Sequence, residues 1–264
     1  MTGAHRPAAL DLVVTAPAPG ANRLERRRVS HPWSLGRGYP GPDGLLDVIP
    51  QVAGAGLLAG EAVTQRLEIG PCAGLRLVSA GAMLVLGGAA PAHSDWHWHL
   101  HPGARAVQTS EAHVLLPGAE LRLTTRIDLA PGALYLGFEG VCLAEPAAPV
   151  RWRLETTVCG PAGTAFAIDR HGADAAALAR LRGLPGAPAA FGTLLLLGPP
   201  SIAQALPCGR LDLPGAFAAA APLREDLGMI ARIACPDGGT LRQAGLALMA
   251  QTAERLGLAT TPLT

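Results

Sequence analysis

Lysine is absent from the 264-residue sequence, so all 21 basic residues are arginines. Against 20 acidic residues they leave a formal net charge of +1, which does not favour a surface for nucleic acid or another polyanion. Aromatic residues make up only 4% of the chain and charged residues 16%, whereas hydrophobic residues reach 49%. The hydrophobic share is large enough for a buried core and argues against disorder.

Sequence motifs for the common catalytic and metal sites are also missing. The chain has no GxSxG nucleophile elbow, no HExxH zinc motif and, without lysine, no GxxxxGK[ST] phosphate loop. The five cysteines are odd in number and include no CxxC pair, which argues against a disulfide framework or a cysteine-rich zinc site. With no secretory signal pattern at the start of the sequence, these features predict a cytoplasmic location.

The uncharged run of residues 77–94 is about as long as a membrane-spanning helix requires. Gly81, Gly87 and Pro91 interrupt it, and no basic cluster flanks it. We therefore predict a soluble protein without a membrane partner. We expect one domain over residues 1–264, with a partly flexible N-terminal segment over residues 1–28.

Alternation of apolar and polar residues dominates the middle of the chain. In residues 63–69, 120–128 and 151–158, three of the four alternate positions on one face are apolar, and the positions between them are polar or charged. This period of two is typical of strands with one buried face. At least ten segments of this kind can be marked.

The tripeptide Pro-Gly-Ala separates several of these segments. It occurs six times, starting at Pro19, Pro102, Pro117, Pro131, Pro185 and Pro214. The three central copies are 15 and 14 residues apart, and Pro-Gly favours turns because proline fixes φ and glycine permits a positive φ. The spacing predicts many short antiparallel strands, arranged as a sandwich or as a stacked, solenoid-like sheet.

Two helices are predicted within this mainly β fold. Residues 173–181 are rich in alanine, and Thr240 with Gln243 forms a capping-box pattern before a C-terminal amphipathic helix. Leu241 and Leu248 lie on its apolar stripe. That stripe either closes the protein's own sheet or contacts a partner. The fold prediction is an elongated β-rich scaffold with two helices, one of them C-terminal.

The segment DWHWHLH, residues 95–101, is the strongest candidate for a metal site. As a strand it places Asp95, His97, His99 and His101 on one face, with the tryptophans on the other. Imidazole and carboxylate groups suit nickel, zinc, copper or iron. Two interpretations stay open: a metal site, transient or serving a metal-dependent hydrolase, or a solvated polar face above a tryptophan core.

A complete metal site needs ligands from outside this strand. Alternate residues of a strand are roughly 6.5 to 7 Å apart at the backbone, whereas ligand distances are about 2 Å. His93, His113 or a second chain are the candidates for the missing ligands.

Several segments resemble one known family, the urease accessory protein UreD, also called UreH. Residues 54–82 resemble the family's early glycine-rich segment and the strands that follow it, with Glu61 at the position of the family's acidic residue. Residues 113–143 are similar to its pattern of strands and Gly-Ala turns, with Glu139 at the position of a second acid. The late strands from Phe191 and from Gly228 also match, with Arg232 on the usual arginine. The resemblance covers roughly residues 30–256, as a diverged member.

The resemblance implies a non-enzymatic scaffold in urease maturation. Such a scaffold would bind apo-urease, recruit UreF and the GTPase UreG, and guide nickel through its interior. It implies no tightly bound cofactor and transient nickel contacts at Glu61 and Glu139, to which the histidine strand could add. Arg232 and the stripe leucines Leu241 and Leu248 are the expected partner contacts. A UreD-like paralogue that serves another client protein is the alternative.

Overall fold

The computed structural model describes residues 9–18, 21–54, 56–183 and 186–259. Most elements in this part of the chain are strands, and two are α-helices, α1 (Ala175–Leu181) and α2 (Gly238–Arg255). Two short 3-10 helices cover Pro200–Ala205 and Arg224–Asp226. The strands are β1 (Leu10–Thr15), β2 (Arg23–Val29), β3 (Trp33–Leu35), β4 (Tyr39–Pro40), β5 (Leu46–Val48), β6 (Pro50–Val52), β7 (Ala62–Ile69), β8 (Gly74–Val78), β9 (Met83–Val85), β10 (Ala92–Leu100), β11 (Arg105–Thr109), β12 (His113–Leu115), β13 (Glu120–Leu129), β14 (Leu134–Leu143), β15 (Arg151–Cys159), β16 (Ala165–Ala173), β17 (Ala190–Leu197), β18 (Gly209–Leu211), β19 (Phe217–Pro222) and β20 (Gly228–Cys235). The predicted class, mainly β with a C-terminal helix, is confirmed.

The strands form two large sheets that pack face to face. Sheet 1 has seven strands in the order β16-β15-β13-β10-β7-β1-β2. Sheet 2 has the order β18-β19-β20-β17-β14-β11-β8-β5-β4, with β12 and β9 continuing beside β14. The remaining pair, β3 and β6, forms a small sheet of its own.

The central strands form a parallel solenoid. The chain passes from β7 to β8, then to β10, β11, β13, β14 and β15, and so alternates between the two sheets. Neighbouring strands of sheet 1 are offset by 31, 29 and 31 residues, because Ala62 pairs with His93, Ala92 with Leu121, and Glu120 with Arg151. Each turn of the solenoid therefore takes about thirty residues, twice the spacing of the central Pro-Gly-Ala copies.

The predicted antiparallel pairing is wrong for this central part. β7, β10, β13 and β15 are parallel in sheet 1, and β5, β8, β11 and β14 are parallel in sheet 2. The reason is that the turns carry the chain across to the other sheet, and not back along the same sheet. Antiparallel pairing is found at the ends, in β1–β2, β15–β16 and the series β14–β17–β20–β19–β18.

The Pro-Gly-Ala tripeptides form the turns that the sequence predicts. Their glycines adopt positive φ in Gly103 (70°), Gly118 (77°), Gly132 (73°) and Gly215 (70°). Turns of successive coils also bind each other, since the N–H of Cys72 donates to the carbonyl oxygen of Pro102 at 3.0 Å. The copies that start at Pro19 and Pro185 begin outside the described residues.

The N-terminal segment forms two strands where the structure describes it, and the partial flexibility of residues 1–28 stays a prediction. β1 buries Leu10, Leu12 and Val14 completely and pairs in parallel with β7. β2 then pairs with β1 and forms the edge of sheet 1. Burial of these three aliphatic side chains offsets much of the entropy cost of ordering this short segment. Residues 1–8 and 19–20 lie outside the description.

The C-terminal helix packs on sheet 2. It begins at Gly238, three residues before the start that an N-cap at Thr240 predicts, because Asp237 is the N-cap and accepts the N–H of Thr240 at 2.8 Å. Leu241 and Leu248 are buried in a core shared with β14, β17 and β20. The apolar stripe therefore holds the helix on its own sheet, and these two leucines present no surface to a partner. No helix in the described part of the chain is long and apolar enough to cross a membrane.

A buried ion-pair cluster ties the first coil to the segment after α2. The guanidinium of Arg76 on β8 pairs with Asp43 and with Asp47, the latter at 2.7 Å, and all three side chains are largely buried. Arg76 also donates to the carbonyl oxygen of Ala259 at 2.8 Å, and Asp43 accepts the N–H of Ala259 at 2.9 Å. The cluster satisfies a charge that would otherwise be costly to bury.

Candidate functional site

A cavity of about 460 Å³ lies between the two sheets. Aromatic and aliphatic side chains form part of its wall, including Trp33, Trp96 and Leu123. Its polar lining includes Ser94, Gln108, Ser110, Glu111, His113 and Glu139. Polar groups on the inward faces of strands are unusual, because these faces normally carry the core.

Glu139 is a carboxylate of this lining that lies between the sheets. It projects from β14 towards sheet 1, where it lines the same space as Thr125 and Thr156. Burial, together with a smaller effect of the charge of Asp169, raises the pKa of Glu139 to about 7, against the opposing effects of Arg232 and of the two threonines Thr125 and Thr156. Glu139 therefore exchanges a proton readily near neutral pH.

His113 and Glu111 supply two more ionisable groups to the cavity wall. Burial lowers the pKa of His113 to about 4, although a hydrogen bond to the backbone of Gly140 acts in the other direction. Its imidazole is therefore neutral at pH 7, and a neutral imidazole keeps a lone pair for a cation. Glu111 forms an ion pair with Arg242 of α2 at 2.7 Å.

A smaller space of about 20 Å³ continues the polar lining on the other side of Glu139. Asp169, Thr193 and Tyr135 contribute to its wall, and Glu139 lines both spaces. The Tyr135 hydroxyl donates to Gln108 in the first cavity at 2.7 Å. A line of polar side chains thus crosses the interior from the Glu111 side to Asp169.

The line ends near a wide groove of about 430 Å³ at the side of the molecule. Arg232 lines this groove and binds both Asp169 and Thr193. His171 also lines it, and burial, with a smaller effect of Arg232, lowers the pKa of His171 to about 4. Arg232 is therefore engaged within the chain, while 39% of its side chain stays exposed, and a partner contact at Arg232 stays a prediction.

The histidine strand has the predicted faces. β10 places Asp95, His97 and His99 on the outer face of sheet 1, while Trp96 and Trp98 are buried in the core. The hydroxyl of Thr124 on the neighbouring strand donates to Asp95. The tryptophan part of the second interpretation is thus confirmed.

The outer face does not bring the three histidines together around one ion. His97 pairs in register with Arg66 and Arg126 on its two neighbouring strands, and burial and the charge of Arg66 are the main causes that lower its pKa. Two flanking guanidinium groups oppose a cation at this position. Among the described residues, no group of three or more His, Cys, Asp or Glu side chains is placed to hold a metal.

His99 and His101 form a closer pair. Their ring centroids are 4.6 Å apart. His99 Nδ1 lies 3.7 Å from a carboxylate oxygen of Asp128, and His101 Nε2 lies 3.3 Å from one of Glu68. The pair offers two imidazole ligands, which is fewer than a tightly held metal ion requires.

Comparison with known proteins places the chain in a family. A family model described as UreD urease accessory protein matches residues 6–263. The chain belongs to the UreD family of urease accessory proteins.

Relatives in the family are similar over most of their length. Urease accessory protein UreD 1 of Methylorubrum populi is 29% identical over 240 residues, which cover 87% of this chain and 82% of that protein. UreD 3 of Bradyrhizobium sp. strain ORS 278 is 31% identical over 243 residues, covering 86% and 84%. UreD 1 of Pseudomonas syringae pv. syringae is 30% identical over 250 residues, covering 85% and 84%.

The acids that resemble the UreD pattern lie in different surroundings. Glu139 lines the interior cavity, whereas Glu61 accepts the N–H of Leu58 at 2.8 Å and closes a local turn before β7. Glu61 is not among the residues that line the cavity with Glu139. A nickel contact at Glu61 stays a prediction from the UreD resemblance.

Asp169 is a member of the interior polar line that the sequence reasoning missed, and Glu111 is a member that it considered only as a possible partner in an acid pair. Asp169 lies on the inward face of β16, in register with Thr156. The alternation of β16 is weak, with exposed Phe166 and Ile168 on the strand, so its sequence does not show which face is inward. Glu111 lies between β11 and β12, where no periodic pattern marks it.

Proposed function

We propose that the chain is a non-enzymatic scaffold that binds apo-urease, recruits UreF and UreG, and passes nickel through its interior to the urease active site. The observation that carries the proposal is the polar line between the two sheets of a UreD family member. It includes the carboxylates Glu111, Glu139 and Asp169 and the neutral imidazole of His113. These are ligand types that a borderline divalent ion accepts.

Incomplete ligand sets favour transfer over storage. An ion held by three or four protein ligands leaves slowly, whereas one or two ligands at each step allow it to move on. Glu139 contributes one carboxylate with two threonine hydroxyl groups beside it. An arriving cation would replace the proton of this carboxyl group, and the proton would return when the cation moves on.

Co-expression of the chain with urease subunits, UreF and UreG tests the proposal. Glu139→Gln keeps the size of the side chain but removes its charge, so we expect urease with a lower nickel content and lower activity. Glu145→Gln changes an exposed acid on the loop after β14 and is the matched control. Glu61→Ala tests the second acid of the family pattern in the same assay.

The outcomes separate this function from its alternatives. Activation that is unchanged by Glu139→Gln would argue against the interior route. Absence of apo-urease, UreF and UreG from the purified complex would favour a client other than urease. Hydrolysis by the purified chain alone, lost on replacing His99 and His101, would instead support an enzyme.

A further inference from the structure

Sheet 2 extends beyond the edge of sheet 1 and leaves part of its inner face uncovered. β16 is the last strand of sheet 1, and Asp169 on β16 binds Arg232 on β20. Beyond β20, sheet 2 continues with β19 and β18, whereas sheet 1 ends at β16. Phe217 on β19 is 66% exposed, and Ala219 and Ala221 on the same face are exposed too. This overhang is an apolar face that lacks a covering layer.

The edge strand beside the overhang has one side available for pairing. β16 is nine residues long and pairs only with β15 within the described chain. Its residues make no further backbone hydrogen bonds with the described residues outside that ladder. Phe166 and Ile168 on β16 are 43% and 51% exposed.

The opposite edge of sheet 1 is protected in a way that β16 is not. β2 has the sequence RLERRRV, with four arginines and one glutamate in seven residues. Charged side chains on an edge strand oppose pairing with another chain. β16 carries only Asp169, Arg170 and one histidine among apolar residues. The two edges therefore differ in how readily they accept a further strand.

We propose that an extended segment of a partner protein pairs with the free edge of β16 and covers the overhang as an additional strand of sheet 1. Neighbouring strands are about 4.8 Å apart, and packed sheets about 10 Å. An additional strand beside β16 therefore lies above β19, where Ala219 and Ala221 leave room for its inward side chains. Only extended backbone can satisfy the edge, since a helix has no free ladder of donors and acceptors.

A second copy of this chain does not fit this place. If two β16 edges were paired about a two-fold axis perpendicular to the sheets, the two overhangs would point towards each other in the same layer. β19 and β18 of the two copies would then occupy the same space. The occupant is therefore a narrow segment of a different protein, and not another solenoid.

The charges around the overhang indicate what this segment carries. Arg210 on β18 lies beside Ala219 on the uncovered face, and Arg180 of α1 lies at the rim of the adjoining groove. Neither arginine forms an ion pair with a residue in the described part of the chain. We infer an alternating segment with small apolar residues at inward positions and an acidic residue that reaches Arg210.

An array of overlapping peptides from urease subunits and accessory proteins, each long enough to span β16, tests the inference with the full chain as the probe. Only the choice of peptides rests on the proposed function. We expect binding to acidic, alternating segments. Ala219→Glu fills the space left for inward side chains and adds an acid that competes with the segment's acid for Arg210, so it should weaken binding by at least about tenfold.

Two further variants and one exchange measurement make the test specific. Ala62→Glu adds the same charge to an exposed strand alanine on the outer face of sheet 1 and should leave binding unchanged. Arg210→Ala should weaken only peptides that contain the acid, by about threefold to tenfold. Amide hydrogen exchange of residues 165–173 should slow when such a peptide is bound.

Three results would overturn the inference. They are an array without any bound peptide, equal losses in Ala219→Glu and Ala62→Glu, and unchanged exchange in β16 on binding. Each leaves the proposed function intact, since that is judged by co-purification and by the nickel content of urease. The reverse outcome is also possible to recognise. If peptides bind at β16 but Glu139→Gln does not change the nickel content of urease, the docking inference is supported and the interior nickel route is contradicted.

Discussion

Replacement of Glu139 by glutamine should change how the stability of the protein depends on pH. Burial raises the pKa of Glu139 from 4.5 to about 7, so the native state favours the protonated form. The wild-type protein therefore loses native stability as the pH rises from the unfolded-state pKa towards the folded-state pKa. This loss reaches roughly 3 kcal/mol at about pH 8, and roughly 1 kcal/mol of it has occurred by about pH 5. A glutamine cannot ionise and does not lose this stability.

Urea unfolding of both proteins at about pH 5 and about pH 8 measures this effect. The difference in unfolding free energy, variant minus wild type, should increase by roughly 2 to 3 kcal/mol between the two pH values. Other titrating groups, such as His113, are common to both proteins and cancel in this difference. Glu145→Gln is the control and should give a constant difference. A constant difference for Glu139→Gln as well would refute the assignment of a buried, proton-sharing carboxyl group.

Three further predictions concern the helix and the outer face. Asp237→Ala removes the N-cap of α2 and should lower the unfolding free energy by about 1 kcal/mol in urea titrations. Leu248→Ala leaves a cavity between α2 and sheet 2, and the same titrations should show a loss of about 2 to 4 kcal/mol. Calorimetry at neutral pH should detect weak nickel binding, of roughly micromolar affinity or weaker, that is lost below about pH 6. His99→Ala with His101→Ala should abolish it, and an equal loss in His97→Ala would contradict the arginine-flanked position of His97.

The sequence predicts the strands of the solenoid better than their partners. Alternation over residues 120–128 shows a half-buried strand because burial of one face leaves a period of two. The same pattern does not show which strand lies beside it, since parallel and antiparallel neighbours bury the same face. Only the turn spacing carries that information, because two half-coils of 15 and 14 residues make one full turn. Of the two predicted arrangements, the stacked, solenoid-like sheet is therefore the one that agrees with this spacing.

The interior site depends on contacts between segments that are far apart in the sequence. Glu139 is found through the UreD resemblance, but its threonine and Asp169 neighbours come from three other strands. Such a group can be recognised only when it is known which residues of the two sheets lie opposite each other. The alternation of apolar and polar residues does not contain this information. The helix stripe is a different case, since Leu241 and Leu248 show amphipathicity without showing which surface they contact. The structure shows that both leucines are buried against sheet 2.

The ion-pair cluster around Arg76 has a consequence for synthesis of the chain on the ribosome. Arg76 and Asp43 leave the exit tunnel early, but the backbone groups of Ala259 that hydrogen-bond to them are translated 183 and 216 residues later. A nascent chain that has already stacked its first coil therefore lacks these two bonds until the segment after α2 has left the tunnel. Closure of the cluster is consequently a late, long-range step, in which the segment after α2 returns to the first coil.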